Sequence, residues 1–210
     1  MKTGSQVRLK ALPLEFYARE TKLVARELLG KILYRSKNGV VTGGIITETE
    51  AYLGTRDSAC HTYGGRRTER VASMYKNGGH AYVYFIYGMH FCFNVVTRDE
   101  TKPEAVLIRA LEPMEGSGVM RRRRGFSEGK PDRDLCSGPA KLCEAMAIDR
   151  SIDGLSLIGR TIWISEGSFQ ARPASKIVIS KRVGVDYALR PAGRPARDWP
   201  LRFRLGPGML

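Results

Sequence analysis

The feature that most restricts the fold is the aromatic segment 80–97, HAYVYFIYGMHFCFNVVT. Apolar and aromatic residues lie on both sides of Tyr87-Gly88-Met89, which predicts two β-strands joined by a tight turn. Turns normally carry Gly, Asn, Asp or Ser, so large apolar side chains at this tip are unusual. Aromatic residues in strands most often belong to a core, and the tip residue Tyr87 is the exception. The segment therefore predicts an antiparallel hairpin with an apolar tip.

Other runs also favour strands. Residues 31–53 alternate apolar and polar side chains around Asn38-Gly39, a dipeptide favoured in hairpin turns. The segment 105–113, AVLIRALEP, predicts a buried strand with one arginine inside it. Three later runs, 161–165, 176–185 and 199–205, also have strand patterns. Together these runs predict a sheet formed largely by neighbouring antiparallel strands.

Helical patterns are fewer. Residues 13–29 have apolar side chains near helical spacing and predict one amphipathic opening helix that ends at Gly30. A short helix is expected around residues 115–124, and another after Ser137, with this serine as cap and a proline in the first turn. Repeats, low-complexity linkers and shifts in composition are absent. We therefore predict an α+β fold, a single mixed domain over residues 1–210 with a protruding β-hairpin.

The charge of the chain narrows its partners. Lys and Arg number 35 against 21 Asp and Glu, for a net charge of +14, and 24 of the 35 are arginine. Arginine presents a planar fork of donors that matches phosphate oxygens, so this balance favours nucleic acid. Membrane lipid and acidic protein remain open as partners at this point. The run Arg121–Arg124 is expected either to face phosphate or to lie on a solvated helix face.

Several classes of protein are disfavoured. Hydrophobic residues make up 42% of the chain, too many for wholesale disorder. Apolar runs stay well short of the ~20 residues that span a bilayer, and the first residues lack the apolar region of a secretory signal. We expect a cytoplasmic protein without membrane contact. Motifs for nucleotide hydrolysis, hydride transfer and a serine nucleophile elbow are also absent.

Cysteine and histidine spacing gives no metal pattern. The chain lacks a C-x-x-C pair, and its three histidines match no ligand motif. A cytoplasmic chain keeps its thiols reduced, so we expect the cysteines to be free and mostly buried. They are Cys60, Cys92, Cys136 and Cys143.

Carboxylates and an isolated arginine are the candidate chemical groups. Glu48 and Glu50 are two residues apart on a predicted strand, so both side chains can line one cleft. A carboxylate in an apolar cleft can have a raised pKa and act as a base, although a solvent-facing pair beside arginines explains the spacing as well. Arg109 is costly to bury unpaired and needs an anion, either Glu50 or a substrate. The residues alone leave a structural and a catalytic role open.

Bulky rings next to arginines have a second use. Side chains that enter DNA between base steps are large and apolar, and a base taken out of the stack needs aromatic walls. Tyr82, Tyr84 and Tyr87 could supply a wedge and a wall, with core packing as the alternative for each ring.

Taken together, these motifs resemble those of the alkyladenine (3-methyladenine, N-methylpurine) DNA glycosylase family. The resemblance begins with the segment 48–54, ETEAYLG, then His61, the hairpin 82–94, and LIRALEP. It continues through LCSGPAKLC, RVGV and PLRF, and covers residues 10 to 205 in order. The resemblance implies a single-domain mixed fold that flips a damaged purine and hydrolyses its N-glycosidic bond, leaving an abasic site.

Site residues follow from the resemblance position by position. Glu50 matches the general base that activates a water, Arg109 helps to hold that water, and the main-chain carbonyl of Val183 is its third partner. The expected pocket residues are Tyr52, His61 and Tyr84 as walls and Asn94 as the group that rejects the amino group of guanine. Tyr87 matches the side chain that fills the gap in the duplex, and Met89 is expected to enter DNA beside it.

The resemblance also implies how the protein works as a whole. It places no lysine where a Schiff base could form, so the implied enzyme is monofunctional, and it needs no metal or organic cofactor. The expected partner is double-stranded DNA with damaged purines, bound by a monomer that is cytoplasmic, nucleoid-associated or nuclear according to its source. Two alternatives remain: a nucleic-acid-binding protein without catalysis, and a metal-dependent nuclease that uses Glu48, Glu50 and His61.

Overall fold

The computed structural model describes residues 10–127, 129–167 and 177–206. Residues 1–9, which carry most of the segment considered as a secretory signal, lie outside the described residues. Lys176, the first residue of the predicted strand run 176–185, also lies outside them. In the described ranges, the chain forms one eight-stranded sheet with four short α-helices and several 3-10 turns. All strand pairs in it are antiparallel. The predicted α+β class with a largely antiparallel sheet is confirmed.

The strands follow the predicted runs closely. Their order in the sheet is β3-β4-β5-β2-β1-β6, with β8 paired to β2 and to β7. Their bounds are β1 Ile32–Lys37, β2 Val40–Tyr52, β3 Ala81–Ile86, β4 His90–Thr97, β5 Glu104–Glu115, β6 Ile162–Ser165, β7 Ile177–Ser180 and β8 Arg202–Leu205. Asn38 and Gly39 connect β1 and β2 with φ of 52° and 77°, the left-handed conformation that this two-residue turn requires.

Strand β2 is the centre of the sheet. It pairs with β5 along one edge, and with β1 and then β8 along the other. Its pairing with β5 is irregular between Ile46 and Thr49, around Glu48. Irregular pairing of this kind bends a strand and changes where its side chains point. The bent end of β2 carries Glu48, Glu50 and Tyr52, and β5 and β8 flank it.

The opening helix differs from the prediction. Residues 13–29 form two helices, α1 Leu14–Tyr17 and α2 Thr21–Glu27, and not one. The chain bends at Glu20, whose backbone is extended and whose carboxylate accepts a hydrogen bond from the Leu23 N–H as the cap of α2. A side chain that caps a new helix competes with continuation of the previous one, which the apolar spacing does not reveal.

Two more helices cover the sheet. They are α3 Ser117–Arg123 and α4 Pro139–Ala145, and α4 packs on β4 and β5 while α2 packs on β2 and β5. The predicted proline in the first turn of α4 is confirmed, but the predicted cap is wrong. The cap residue is Gly138, and the Ser137 hydroxyl donates to the Asp134 carbonyl. In the described ranges, none of the helices has the length and apolar character needed to span a membrane.

The arginine run is mostly engaged within the protein. Arg121 pairs with Asp132 at 2.5 Å, Arg123 donates to the Ala145 carbonyl at 3.0 Å, and Arg124 pairs with Glu144. Of the four, only Arg122 is exposed and forms no ion pair within the described residues. Neither expectation therefore describes this run, because most of it fastens α3 to neighbouring segments. All four cysteines are free and buried, as predicted.

Candidate active site

An aromatic cavity of about 430 Å³ opens beside the bent end of β2. Strands β3, β4 and β5 and the segments around residues 59–61 and 183–187 surround it, and most of the predicted site residues line it. Those residues are Tyr52, His61, Tyr84, Tyr87, Asn94, Arg109 and Val183. Far more of its surface is apolar than polar, which is typical of a site that binds a flat organic group.

Glu50 lies directly behind the wall of the aromatic cavity. The residue is fully buried, and three groups from the cavity lining contact its carboxylate. The Val183 N–H donates to Oε1 at 2.8 Å, and the Tyr52 hydroxyl donates to Oε2 at 2.9 Å. The Arg109 Nη1 donates to the same Oε2 at 3.3 Å. The structure therefore brings Glu50, Arg109 and Val183 together, with Val183 in contact through its amide, and the role expected of its carbonyl stays a prediction.

These contacts set the protonation of Glu50. Burial raises its pKa above the usual range of a glutamate, while Arg109 most strongly, then the Val183 amide and the Tyr52 hydroxyl, lower it. Burial has the larger effect, so the pKa remains raised. A carboxylate has about four acceptor positions and three are in use, so one remains for a further hydrogen bond. The group has the environment of a general base.

Arg109 joins two carboxylates. Its Nε donates to Oε1 of Glu48 at 2.8 Å, the closer of its two ion pairs. The same Oε1 also accepts from Arg202 Nε at 2.6 Å. The sequence reasoning paired Arg109 with Glu50 or a substrate and missed Glu48 as its nearer partner. Glu48 and Glu50 are not a solvent-facing pair, because their side chains are 14% and 0% exposed.

A buried ion pair supports the other side of the Glu50 carboxylate. Arg182 donates to both oxygens of Asp57, at 2.5 and 2.8 Å, and both side chains are fully buried. The guanidinium also lies 4.7 Å from the centre of the Tyr52 ring. Because Arg182 directly precedes Val183, it fixes both the tyrosine and the amide that contact Glu50. No local sequence signal indicates this pair, since its members are 125 residues apart.

The aromatic walls form two groups. The rings of His61 and Tyr84 meet edge to face with centroids 4.6 Å apart, too close for a base to lie between them. Tyr82 packs on Tyr84 at 5.5 Å. Tyr52 lines the same cavity and is held separately, by its hydrogen bond to Glu50 and by the Arg182 guanidinium over its ring.

His61 is neutral in this setting. Burial and then the charges of Arg70 and Arg66 lower its pKa to about 4. Its Nδ1 lies 2.8 Å from the Tyr82 hydroxyl, so the ring is held in place. Burial also raises the pKa of Tyr82, which keeps this hydroxyl protonated. A neutral ring next to arginines avoids adding another positive charge to the cavity.

Two further side chains are fixed at the cavity wall. Asn94 is buried, and its Nδ2 donates to the Tyr82 carbonyl at 3.0 Å, which leaves its oxygen and second amide hydrogen for other contacts. Tyr84 pairs with Cys92 across β3 and β4, and the thiol adds to the effect of burial in raising the pKa of the Tyr84 hydroxyl. Burial raises the pKa of both groups, so both keep their protons.

The turn between β3 and β4 carries the exposed apolar tip. Tyr87 and Met89 are 81% and 69% exposed, whereas most of the other rings on these strands are at least partly buried. Tyr87 has φ of 54°, in the left-handed region that normally favours glycine, and Gly88 follows with 70°. Such a conformation costs a residue with a Cβ roughly 1–3 kcal/mol, and strain of this kind occurs preferentially at functional sites.

A metal site is not assembled from the residues that were considered for it. Across residues 10–127, 129–167 and 177–206, no three His, Cys, Asp or Glu side chains are grouped as ligands. The trio of Glu48, Glu50 and His61, proposed for the nuclease alternative, is therefore not a metal site in this fold. Glu48 and Glu50 instead share Arg109.

Comparison with known proteins adds independent information. The sequence model of the methylpurine-DNA glycosylase family matches residues 15–206, which contain every candidate site residue. A provisionally named 3-methyladenine DNA glycosylase from Desulfitobacterium hafniense strain Y51 is 46% identical over 203 residues, which cover 94% of this chain and 96% of that protein. Proteins with the same provisional name from Clostridium acetobutylicum and Bdellovibrio bacteriovorus are both 48% identical, covering 90% and 92% of this chain and 91% and 94% of their own lengths.

Proposed function

This chain belongs to the methylpurine-DNA glycosylase family, and from that membership we propose that it is a monofunctional DNA glycosylase of base excision repair. It acts as a monomer and as a single domain over residues 1–210. It removes alkylated or deaminated purines from double-stranded DNA by hydrolysis of the N-glycosidic bond and leaves an abasic site. The observation that carries this proposal is the fully buried Glu50 carboxylate, held by three groups that line an aromatic cavity.

Base recognition comes first in the reaction. The damaged purine leaves the base stack and enters the aromatic cavity, with Tyr52 on one face and His61 and Tyr84 on the other. An alkylated adenine carries positive charge, so the faces of the rings attract it by about 0.5–2 kcal/mol. The neutral state of His61 avoids repelling that charge. Asn94, fixed by the Tyr82 carbonyl, contacts the edge of the base and rejects a normal guanine.

The hairpin tip holds the duplex open. Tyr87 enters the space that the flipped nucleotide leaves, and Met89 contacts the neighbouring base step. Both side chains are exposed in the free protein, so insertion needs no local unfolding. Strain at Tyr87 is explained by this role, since the left-handed backbone points a bulky side chain away from the two strands.

Hydrolysis follows at the sugar. Glu50 accepts a proton from a water that attacks the anomeric carbon, and Arg109 and the Val183 carbonyl orient this water. The bond to the base breaks through a state with positive charge on the sugar, and the negative Glu50 stabilises that charge. The contact of Arg109 with Glu50, at 3.3 Å, is the longest of the three, so the water can share it most easily. Lysine is absent from the described lining of the cavity, which supports direct hydrolysis without a Schiff base.

Glu50→Gln tests the proposal. The amide keeps an oxygen for the Val183 N–H and a similar shape, but it cannot take a proton. We expect release of bases from methylated duplex DNA to fall by at least ~10²-fold, the usual contribution of a general base, while binding to the same duplex stays within about twofold.

The controls separate the alternatives. Release of methylated purines by the wild-type protein, without strand breaks before alkaline treatment, is the expected result. Binding without release by the folded wild-type protein would support a nucleic-acid-binding protein instead. Equal release by wild type and Glu50→Gln would remove Glu50 from its proposed role.

A further inference from the structure

A second cavity, of about 590 Å³, lies away from the aromatic cavity and shares none of its lining residues. We call it the basic cavity. Helix α2, the 3-10 turn Gly54–Arg56, strand β7 and the segment 191–203 surround it. Its floor and walls are apolar, and four cationic side chains line it: Lys22, Arg26, Arg56 and Arg194.

The two cavities are on opposite faces of the sheet. On β8, Arg202 reaches Glu48 on the side of the aromatic cavity, whereas the next residue, Phe203, lines the basic cavity. Tyr52 and Leu53, where β2 ends, divide between the two cavities in the same way. Successive side chains of a strand point to opposite faces. A ligand of the basic cavity therefore leaves the aromatic cavity and the hairpin tip accessible.

The charge of the basic cavity is not balanced by the described part of the protein. Asp and Glu are absent from its described lining, and none of the four cations forms an ion pair with a described residue. The neighbouring carboxylates are committed elsewhere, since Glu27 pairs with Arg19, Asp57 with Arg182 and Asp198 with Lys181. The cavity is therefore complementary to a ligand with several negative charges.

Two of the cations repel each other in the free protein. Lys22 and Arg26 are four residues apart in α2 and lie on the same side of the helix. Like charges at this spacing destabilise a helix, and a bound anion removes this cost. Neighbouring cations with no other described partner favour an anionic ligand over an uncharged one.

The floor of the basic cavity adds an apolar requirement. Leu53, Leu201 and Phe203 are buried below it, and Trp199 and Ile179 form its partly exposed walls. The Trp199 indole is fixed, because its Nε1–H donates to the Arg194 carbonyl at 3.0 Å. A concave apolar floor in a cavity that is also lined by four cations accepts a large apolar side chain flanked by carboxylates. The phosphates of duplex DNA lie on a convex surface and do not reach such a floor.

We propose that the basic cavity is a docking site for an acidic peptide segment of a partner protein, which inserts one large apolar side chain between Trp199 and Phe203. The carboxylates beside that anchor pair with Lys22, Arg26, Arg56 and Arg194. Because the site is on the opposite face of the sheet, the partner binds whether or not the aromatic cavity is occupied. This inference does not depend on the reaction proposed above.

Fluorescein-labelled peptides test the proposal on the full chain. The probes have a run of aspartates followed by one anchor, which is Phe, Trp, Leu or Ile, and the control peptide has Ser in place of the anchor. We expect at least one probe to bind about tenfold more tightly than the Ser peptide, since the anchor buries its apolar surface. Equal binding of all four probes and the Ser peptide would overturn the proposal.

Matched variants locate the site. Arg26→Glu combined with Arg194→Glu should weaken binding of the best probe by at least about tenfold. The control, Arg122→Glu combined with Arg160→Glu, changes the net charge equally at exposed residues outside both cavities and should leave binding within about twofold. An equal loss in both double variants would show non-specific attraction and would contradict a site at the basic cavity.

The wild-type protein gives a readout that is independent of folding of the variants. Only two tryptophans are present, Trp199 at the basic cavity and Trp163, which is buried and stacked on Tyr34. The probe should shift the indole N–H resonance of Trp199 and leave that of Trp163 unchanged. A single-stranded thymidine oligonucleotide that shifts Trp199 at lower concentration than every peptide would replace the peptide by nucleic acid as the ligand. Shifts of neither indole by any probe would also overturn the proposal.

Discussion

Replacement of Asp57 by asparagine should destabilise the protein and disturb the active site together. Asp57 accepts four hydrogen bonds, two from Arg182 and one each from the Leu53 and Ala59 amides at 2.9 and 3.0 Å. Asparagine keeps the size of the side chain and one acceptor oxygen, but it removes the charge and turns an N–H toward a donor. It leaves the fully buried Arg182 without its counter-ion.

The magnitude follows from this loss. Removal of one partner of a buried ion pair lowers the free energy of unfolding by about 3–5 kcal/mol. We expect a loss of about 3 kcal/mol for Asp57→Asn, because the contacts of this side chain with the backbone survive in part. The free energy of unfolding of such a domain is about 5–15 kcal/mol, so the variant remains folded but is much less stable. Urea denaturation followed by circular dichroism should show a lower midpoint with an unchanged slope.

The control and the double variant test the reasoning. Asp198→Asn removes an exposed carboxylate that pairs with Lys181, and it should leave the midpoint unchanged. Asp57→Asn combined with Arg182→Met should lose less stability than the two single changes added together, because each single change leaves one buried charge unpaired and the double variant leaves none. Additive losses, or an unchanged midpoint in Asp57→Asn, would refute the argument. Base release should fall in Asp57→Asn as well, since Arg182 positions Val183 and Tyr52 against Glu50.

Three further changes have defined outcomes. Tyr87→Gly and Tyr87→Ala should both lose base release. In urea denaturation the glycine variant should be about 1 kcal/mol more stable than the alanine variant, because φ is 54° at this position. Equal stabilities of the two variants would contradict backbone strain at Tyr87. The ring of His61 should stay neutral to below pH 5 in an NMR titration, because its pKa is lowered to about 4, and its contribution to stability should be lost as the pH falls from about 6.5 to 4. Arg70→Ala should weaken binding to duplex DNA and lower the slope of log affinity against log salt by ~0.9. The control Arg122→Ala changes an arginine that lies away from the cavity, and it should leave both the affinity and the slope unchanged. Equal effects of the two changes would leave no special role for Arg70.

Local sequence patterns predicted the sheet well. The turn at Asn38-Gly39 and the alternation on either side of it fix the register of β1 and β2. The aromatic run 80–97 likewise predicts β3, β4 and the exposed tip. These elements depend on neighbours that are close in the chain, so their signals are local.

The errors arose where distant or competing contacts decide the structure. Glu20 ends one helix and caps the next, and Gly138 takes the cap position expected for Ser137. Apolar spacing does not contain this information, because a capping carboxylate and a helical residue can have the same sequence context.

The candidate site was predicted by resemblance more than by pattern. Residue spacing alone placed Glu48 and Glu50 on one side of a strand, but it left a solvent-facing pair as an open alternative. Arg202 and the Asp57–Arg182 pair hold these groups from remote parts of the chain. No periodicity reports such long-range ion pairs, so their discovery required the folded structure.

The net charge has a different meaning once the arginines are placed. The sequence contains four consecutive arginines, which suggested a phosphate-binding run, yet three of them are used to fasten α3 to the rest of the fold. The exposed arginines near the aromatic cavity lie elsewhere, in the segment 66–70, where Arg70 is 5.6 Å from the Tyr84 ring and also lowers the pKa of His61. Charge that is already paired within the protein cannot release counter-ions from DNA, so only the unpaired fraction contributes to binding and to its salt dependence. The density of arginine in a sequence therefore overestimates the contact with phosphate, and the arginines beside the cavity are better candidates than the longest run.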